Sequence, residues 1–513
     1  MSNLATVFSA EFEGLRARTI EVEVDLNIGL HAFTIVGLAD KALNEAKERV
    51  NSALKNSGAK PPNRENRKIT VNLAPADIRK TGSQYDLAIA LGYLAATRQI
   101  TRFETKDKMF LGELALDGRL RPVNGALSIA EMAAERGFRI LFLPRANANE
   151  ASAIPNIKIV PADTLKDVLA MLAGKVPTVP HSFQKQTQNA GSVPDFADIR
   201  GQQNAKRALT IAASGQHNLL MVGPPGVGKS LLAQALAGIL PGLTTEESIE
   251  VTKIWGAAGM PLSGLIVARP FRAPHQTASL TAVIGGGQDP RPGEISLAHR
   301  GVLFLDELTE FTKHILEALR GPIETGVVHI ARTKDSLRFP AAFSLIAAMN
   351  PCPCGFYGDT EKECRCSAYE VLRYQRKISG PLLDRIDLQI KVPRISLEAL
   401  RNSGSREKEG DNAAIKKLVE TARAVQTKRF QGVRAGLRTN VDMTSRETEN
   451  MTRLAAKADA FLTTLKKTAL SPRSYYRLLK TARTIADLEA REEVTAADLA
   501  EAWSYRLREG LSG

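Results

Sequence analysis

The segment GPPGVGKS, Gly223 to Ser230, has the residue types and spacing of a phosphate cradle. Gly223, Gly226 and Gly228 let backbone N–H groups turn inward around phosphate oxygens, and Pro224, Pro225 and Val227 complete the loop. Lys229 reaches the β- and γ-phosphates of a nucleoside triphosphate, and Ser230 offers a hydroxyl ligand for Mg²⁺. A chance glycine-rich turn is the plainer reading. The context argues against it: NLLMV at 218–222 reads as a buried strand, and LLAQALAGIL at 231–240 reads as a helix whose N-terminus favours anions. The partner segment is GVLFLDEL, 301–308, in which four apolar residues end in two acids. Asp306 is expected to hold Mg²⁺, directly or through water, and Glu307 to orient and deprotonate the attacking water. A third apolar run, FSLIAAMN at 343–350, ends in Asn350. Ligands of open α/β sheets sit beyond the carboxyl ends of the strands, so Asn350 is placed to hydrogen-bond the attacking water or the γ-phosphate. Arg385 lies in GPLLDRIDLQI, 380–390, and Arg473 heads the amphipathic run SPRSYYRLLKTARTIADLE, 471–489. Pattern alone leaves each arginine open between a site group and a surface charge.

All four cysteines fall in CPCGFYGDTEKECRC, 352–366, as two Cys-x-Cys pairs, Cys352/Cys354 and Cys364/Cys366. Four thiolates in a short loop can make a closed tetrahedral Zn²⁺ site. The spacing is not the commoner Cys-x-x-Cys, and four reduced thiols in a surface loop are the alternative. A closed site leaves no position for water, so hydrolysis is assigned to Lys229, Asp306 and Glu307 and only a structural role to the cysteines.

These groups need a sheet to hold them. The pattern from Asp195 to about 394 is that of an α/β nucleotide-binding core, with the cysteine insert at 351–366. Before it, residues 1–172 read as a mixed α+β unit. Ile20 to Leu26 alternates as a half-buried strand, RKITVNLA (67–74) and ILFLP (140–144) look like strands, and helices are expected near Asp40 to Asn56 and at DLAIALGYLAA (86–96). Residues 173–194 are rich in Pro, Gln, Ser and Gly and form a linker. RNSGSREKEGDN (401–412) is a polar loop within a segment, 395–513, that is otherwise helical.

The length of 513 residues predicts two to four domains, and 43% hydrophobic residues suffice for packed cores. Lys plus Arg number 69 against 55 Asp plus Glu, a net charge of +14. That balance points to a polyanion, with nucleic acid first among the candidates. At 5% aromatics, a surface built mainly on base stacking is disfavoured. No stretch reaches the ~18 apolar residues of a membrane span. The first residues lack the apolar run of a signal peptide, and clustered cysteines suit metal more than disulfide, so a cytoplasmic location is expected.

Long runs also carry a resemblance. RPFRAPHQTASLTAVIGGGQDPRPGEISLAHRGVLFLDELTEF (269–311), NPCPCGF (350–356) and SGPLLDRIDLQI (379–390) resemble the magnesium-chelatase-like AAA+ ATPases, and the likeness covers nearly the whole chain. It implies an AAA+ P-loop core between a Lon-protease-like N-terminal domain and a helical lid, assembled as a hexameric ring with ATP sites between subunits. Arg385 then matches the arginine finger, Arg473 the second sensor and Asn350 the first. Asp195 to Gln202 matches the segment beside the adenine. Members that act in bacterial competence are similar to helicases that drive branch migration of recombining DNA during natural transformation. The glycines Gly285 to Gly287 and Arg291 look like a pore-facing hairpin for DNA, with interfacial packing as the alternative.

Residues 67–150 resemble the proteolytic domain of Lon, through RKTGSQYDLAIALG (79–92) and GELALDGRLRPVNGAL (112–127). Such a protease needs a serine nucleophile and a lysine base. In the favoured register those positions hold Gln84 and Leu127. A slip of one residue restores Ser83, but no lysine lies between Lys108 and Lys158. The domain is therefore read as non-proteolytic, serving oligomer assembly or DNA contact. Four functions remain in view: an ATP-driven DNA translocase, a metal-inserting chaperone like the magnesium chelatase ATPase subunit, an ATP-dependent protease, and a regulatory ATPase acting on protein partners. The missing lysine disfavours the third.

Overall fold

The computed structural model describes residues 4–37, 43, 45–64, 66–78, 80–184, 193–260, 262, 264–287, 290–331, 336–395, 411–434, 436–465 and 471–506. Parts of the expected linker, of the first helix (38–42 and 44), of the 285–291 hairpin (288–289) and nearly all of the polar loop (401–410) lie outside the described residues, as does Arg79.

The chain divides into two compact units. The first is built on a mixed seven-stranded sheet. Its strands are β1 (Leu4–Glu13), β2 (Arg16–Ile28), β3 (Ala32–Val36), β4 (Arg67–Ala74), β5 (Lys108–Phe110), β6 (Ile140–Pro144) and β7 (Lys158–Ala162), in the order β3-β4-β2-β1-β5-β6-β7. Strand β2 shows why these residues pair as they do. Ile20, Val22, Val24 and Leu26 are all buried while their neighbours are not, the period of two that a strand with one covered face requires. Helix α1 (Ala46–Asn56) occupies the described part of the expected 40–56 segment. Helix α2 (Asp86–Ala96) is buried on almost every side, which is what its unbroken apolar run demands. Helix α3 (Ala126–Glu135) caps a second cluster containing Ala10, Met109 and Leu141.

The sequence pattern predicts a core unbroken from residue 195. Within that span, Thr245–Val267 packs with the first unit. The helix Thr245–Ala257 lies against α3: Leu265 is buried in the same cluster as Leu127 and Ile129, Ile249 packs on it, and Lys253 Nζ pairs with Glu131. The reason is the burial of an apolar face that pattern alone cannot assign to one body or another.

The second unit holds helix α4 (Gln203–Gly215), strand β8 (Leu219–Val222), helix α5 (Lys229–Ile239), strands β9 (Phe271–Arg272) and β10 (Val302–Leu305), and helix α6 (Arg320–Thr325). Next come a hairpin of β11 (Val327–Ala331) and β12 (Ser336–Pro340), then β13 (Ser344–Met349), helix α7 (Ala368–Gln375) and β14 (Leu388–Lys391). The five-stranded sheet runs β9-β10-β13-β8-β14 and every pairing in it is parallel. Its central strands are wholly buried runs, as parallel strands covered on both faces must be. Helices α8 (Asn412–Phe430), α9 (Pro472–Leu488) and α10 (Ala496–Ser504) pack into the same core as β8 and α4. Together the two units give a mixed α/β protein with a parallel sheet and a helical C-terminal region, in agreement with the sequence pattern. No described helix is long and apolar enough to cross a membrane.

Candidate functional site: two ends of one parallel sheet

Because β8, β10 and β13 are parallel, the segments at their carboxyl ends gather at one edge. Register pairs Val222 with Met349 and Leu305 with Ala347, so the phosphate loop, Asp306, Glu307 and Asn350 are neighbours. Lys229 Nζ donates to Gly223 O at 2.7 Å, Pro224 O at 2.9 Å and Asn350 Oδ1 at 3.1 Å. All three acceptors are neutral. Burial therefore lowers the lysine pKa, while Asp306 and then Glu307 pull it back up. Ser230 Oγ donates to Asp306 Oδ2 at 2.6 Å, and Glu307 N donates to Asp306 Oδ1 at 2.9 Å. A hydroxyl and a carboxylate in contact beside a buried ammonium form a donor set that fits Mg²⁺ and a triphosphate. Glu307 itself sits in the left-handed region, φ 49°, just after the strand.

A cavity of about 790 Å³ opens there, lined by Glu307, Asn350 and Pro353 and also by Gln276, Arg373 and Lys377. Sequence reasoning missed the last three. Arg373 and Lys377 belong to α7 and the turn after it, and only their offset of four residues on one helical face could have signalled them.

The residues at the amino ends of the strands gather at the opposite edge. Asn218, Phe343 and Asp387 stand immediately before β8, β13 and β14, and all three line a second cavity of about 480 Å³. Arg473, at the first turn of α9, lines it too. Arg385 lies beside it, since its carbonyl accepts from Asn218 Nδ2 at 3.1 Å. Its guanidinium is 2.9 Å from Glu324 Oε1, and Arg473 pairs with the same oxygen. Burial lowers the Arg385 pKa, and the nearby Arg320 lowers it further. Below this pair, Asp387 is fully buried. Burial pushes its pKa up, but Arg477, His217 and the Asn218 N–H outweigh that and hold the carboxyl below its usual range. Glu324, in α6 at the foot of the β11–β12 hairpin, belongs to no motif, and sequence reasoning missed it as well.

Lys229, Ser230, Asp306, Glu307 and Asn350 thus converge as expected. Arg385 and Arg473 converge with each other at the far end of the sheet. Among the described residues neither bonds to the phosphate loop of its own chain.

Comparison with known proteins bears on what this arrangement is. The model for magnesium chelatase, subunit ChlI, matches residues 195–400, that for subunit ChlI of Mg-chelatase matches 22–147, and that for the ChlI C-terminal region matches 409–506. The competence protein ComM of Haemophilus influenzae is 44% identical over 98% of this chain and 97% of its own length. The chain belongs to the ComM/YifB family. YifB of Escherichia coli is 42% identical over 98% of this chain and 97% of its own. The magnesium-chelatase 38 kDa subunit of Rhodobacter capsulatus is 28% identical over 30% of this chain and 50% of its own. ComM/YifB proteins are therefore magnesium-chelatase-like AAA+ proteins, and the phosphate loop, the Asp-Glu pair and Asn350 all lie in the matched core.

The cysteine insert of this ComM/YifB member lies at the phosphate edge. Cys352 Sγ is 3.4 Å from Cys354 Sγ and 3.7 Å from Cys364 Sγ, and Cys354 Sγ is 3.6 Å from Cys364 Sγ. All four sulfurs lie within 4.8 Å of one another. A tetrahedral site with Zn–S near 2.3 Å has sulfurs about 3.8 Å apart, so the four thiols could hold zinc. The N–H of Tyr357 donates to Cys352 Sγ at 3.3 Å.

Two other groups of expected residues take definite places. The glycines Gly285 to Gly287 and Arg291 are expected to form a hairpin whose glycines allow close approach to a backbone. At Gly285 the backbone that comes close is the hairpin's own: a Cβ there would meet Arg291 O at 2.5 Å, and φ is +102°. Gly285–Gly286 and Arg291–Pro292 pair as short antiparallel strands, with Arg291 exposed. In the first unit, Ser83 Oγ donates to Glu113, Gln84 Nε2 donates to Glu11 Oε2 at 3.3 Å, and Leu127 is buried within α3. The lysine that does lie close in sequence, Lys80, is buried and donates to Pro75 O.

Proposed function

We propose that this chain is an ATP-driven DNA translocase that forms a closed homo-oligomer, a hexamer by family resemblance, and promotes branch migration of recombining DNA during natural transformation. The observation that carries the reading is the pair of half-sites at opposite ends of one sheet. A head-to-tail ring brings the Arg385/Arg473 edge of one subunit onto the phosphate edge of the next and completes the site at every interface. Within it, Lys229 and the incoming arginines offset charge on the transferring phosphoryl group, Asn350 orients the attacking water, and Glu307 takes its proton. Ser230 and Asp306 would hold Mg²⁺, which would supply charge to offset that of the phosphates. Zn²⁺ on Cys352, Cys354, Cys364 and Cys366 is a structural metal in this reading. The +14 charge supplies the attraction to DNA, with Arg291 in its hairpin as one contact.

Hydrolysis measured without DNA and with single-stranded, duplex and branched DNA tests this. We expect branched DNA to stimulate the rate and ATP to drive resolution of a labelled three- or four-strand junction. No DNA binding and no stimulation would sink the proposal and favour a second reading, a magnesium-chelatase-like chaperone or regulatory ATPase acting on protein partners. That reading draws on the ChlI models matching all three segments.

The first unit is read as a non-proteolytic assembly or DNA-contact domain of Lon-like fold. Purified protein is expected to leave a casein-like substrate intact with or without ATP. ATP-stimulated cleavage that disappears in Ser83→Ala would reverse this.

A further inference from the structure

The insert that carries the four cysteines is attached to the nucleotide site at three points. Asn350, which receives the Lys229 ammonium, is only two residues before Cys352, and Cys352 is fully buried. Gly355, between the two cysteine pairs, packs on the phosphate loop itself: a Cβ on Gly355 would lie 2.7 Å from Pro225 Cδ and 3.3 Å from Pro225 Cγ. Pro353 lines the nucleotide cavity with Asn350 and Glu307. The far limb of the insert is tied elsewhere. Asp359, with a side chain 1% exposed, accepts from Arg394 at 3.2 Å, just beyond β14. Gln375 Nε2 donates to Pro351 O at 2.9 Å and joins the insert to α7.

This stretch has no regular secondary structure, and apart from Cys352 its cysteines are only partly buried. A cross-link would hold so irregular a loop more firmly in one shape, and the sulfurs are spaced for one ion. We infer that a Zn²⁺ ion bound by Cys352, Cys354, Cys364 and Cys366 props the phosphate loop, by fixing Gly355 against Pro225 and Asn350 against Lys229, so that nucleotide affinity depends on the metal. The inference rests on the structural-zinc reading above and adds the coupling. The metal takes no part in the chemistry. It sets the position of the backbone that meets the phosphates, where displacement of a preorganised donor costs affinity.

Two variants of the full-length chain separate the metal from the coupling. Cys364→Ser removes one ligand. Gly355→Ala keeps all four thiols but drives a methyl into Pro225 at φ +85°, a region that disfavours any Cβ. Zinc is measured by elemental analysis of protein kept reduced throughout, and ATP affinity by fluorescence anisotropy of a labelled ATP analogue, which needs no turnover. The parent is expected to carry one zinc per chain. Cys364→Ser should lose it and bind the analogue at least about tenfold more weakly, a loss of about 1.4 kcal/mol. Gly355→Ala should keep its zinc and weaken binding to a similar degree. A parent without zinc overturns the metal reading and the inference with it. Zinc-free Cys364→Ser, or parent stripped by chelator, that binds within about twofold of the loaded parent overturns the coupling and leaves the metal reading standing. If Cys364→Ser does not fold, Gly355→Ala decides: parent-like affinity overturns the coupling, and weakened affinity with zinc retained supports it.

Discussion

Lys229→Ala is expected to lower the rate of ATP hydrolysis by roughly 10²–10³-fold or more, the range seen when one preorganised electrostatic donor is removed from a site of charge transfer. Its ammonium is buried, with burial lowering its pKa, and its three hydrogen bonds go to two loop carbonyls and one amide oxygen. A desolvated cation held only by neutral acceptors contributes little to the fold. Its stabilising partner is the phosphate it is placed to meet. Two measurements therefore move apart. Thermal stability without nucleotide should stay near that of the parent. The stabilisation that ATP confers, about 2.7 kcal/mol at a hundredfold excess over Kd, should largely vanish. A variant that melts much earlier without ATP, yet is still stabilised by it, would mean that Lys229 is a structural group. Lys229→Arg is not expected to rescue, because the longer planar fork cannot occupy the place of a compact ammonium between Gly223 O and Pro224 O.

Such local chemistry was legible from the sequence because short-range pattern determines it. The strands at 67–74, 140–144 and Val302–Leu305 and the helix at 86–96 fall where apolar periodicity put them. Asp306, Glu307 and Asn350 were found because they sit at the ends of apolar runs of strand length, and parallel strands deliver their carboxyl ends to one edge. The features that escaped depend on contacts between distant segments. Nothing in TEESIEVTKIWGA says that its apolar face is covered by the first unit. The contact between Gly355 and Pro225 joins residues more than a hundred positions apart, and no spacing rule reaches across that gap. Glu324 lies in a short helix without a motif. Only the fold shows that Arg385 and Arg473 share its carboxylate oxygen, and so that both belong to the edge away from their own phosphate loop.

That placement makes the second large effect one of complementation. Arg385→Ala alone should reduce hydrolysis by roughly 10³-fold, in the range by which an arginine finger accelerates phosphoryl transfer. ATP binding should be nearly unchanged, because Lys229, Ser230 and Asp306 lie at the other end of the sheet. The register requires it: Leu388 pairs with Leu219, so Arg385 stands level with residues before β8 while the phosphate loop comes after β8. An Arg385→Ala subunit thus keeps a good phosphate edge, and a Lys229→Ala subunit keeps a good arginine edge. Neither variant assembles a complete site alone. In an equimolar random mixture, about a quarter of head-to-tail interfaces join the intact edge of one to the intact edge of the other. The mixture should then hydrolyse ATP far faster than either parent variant, up to about that share of the unmodified rate where sites act independently. Adding Arg473→Ala to the Arg385→Ala subunit should not lessen the recovery, because its defective arginine edge faces a different neighbour. Adding Arg473→Ala to the Lys229→Ala subunit should lower it, because that subunit supplies both arginines to the restored site. A mixture no more active than the sum of its components would mean that each chain completes its own site. Arg385 would then have to leave Glu324 and cross the length of β8, a rearrangement that the buried Asp387–Arg477 pair and the Asn218 hydrogen bonds oppose.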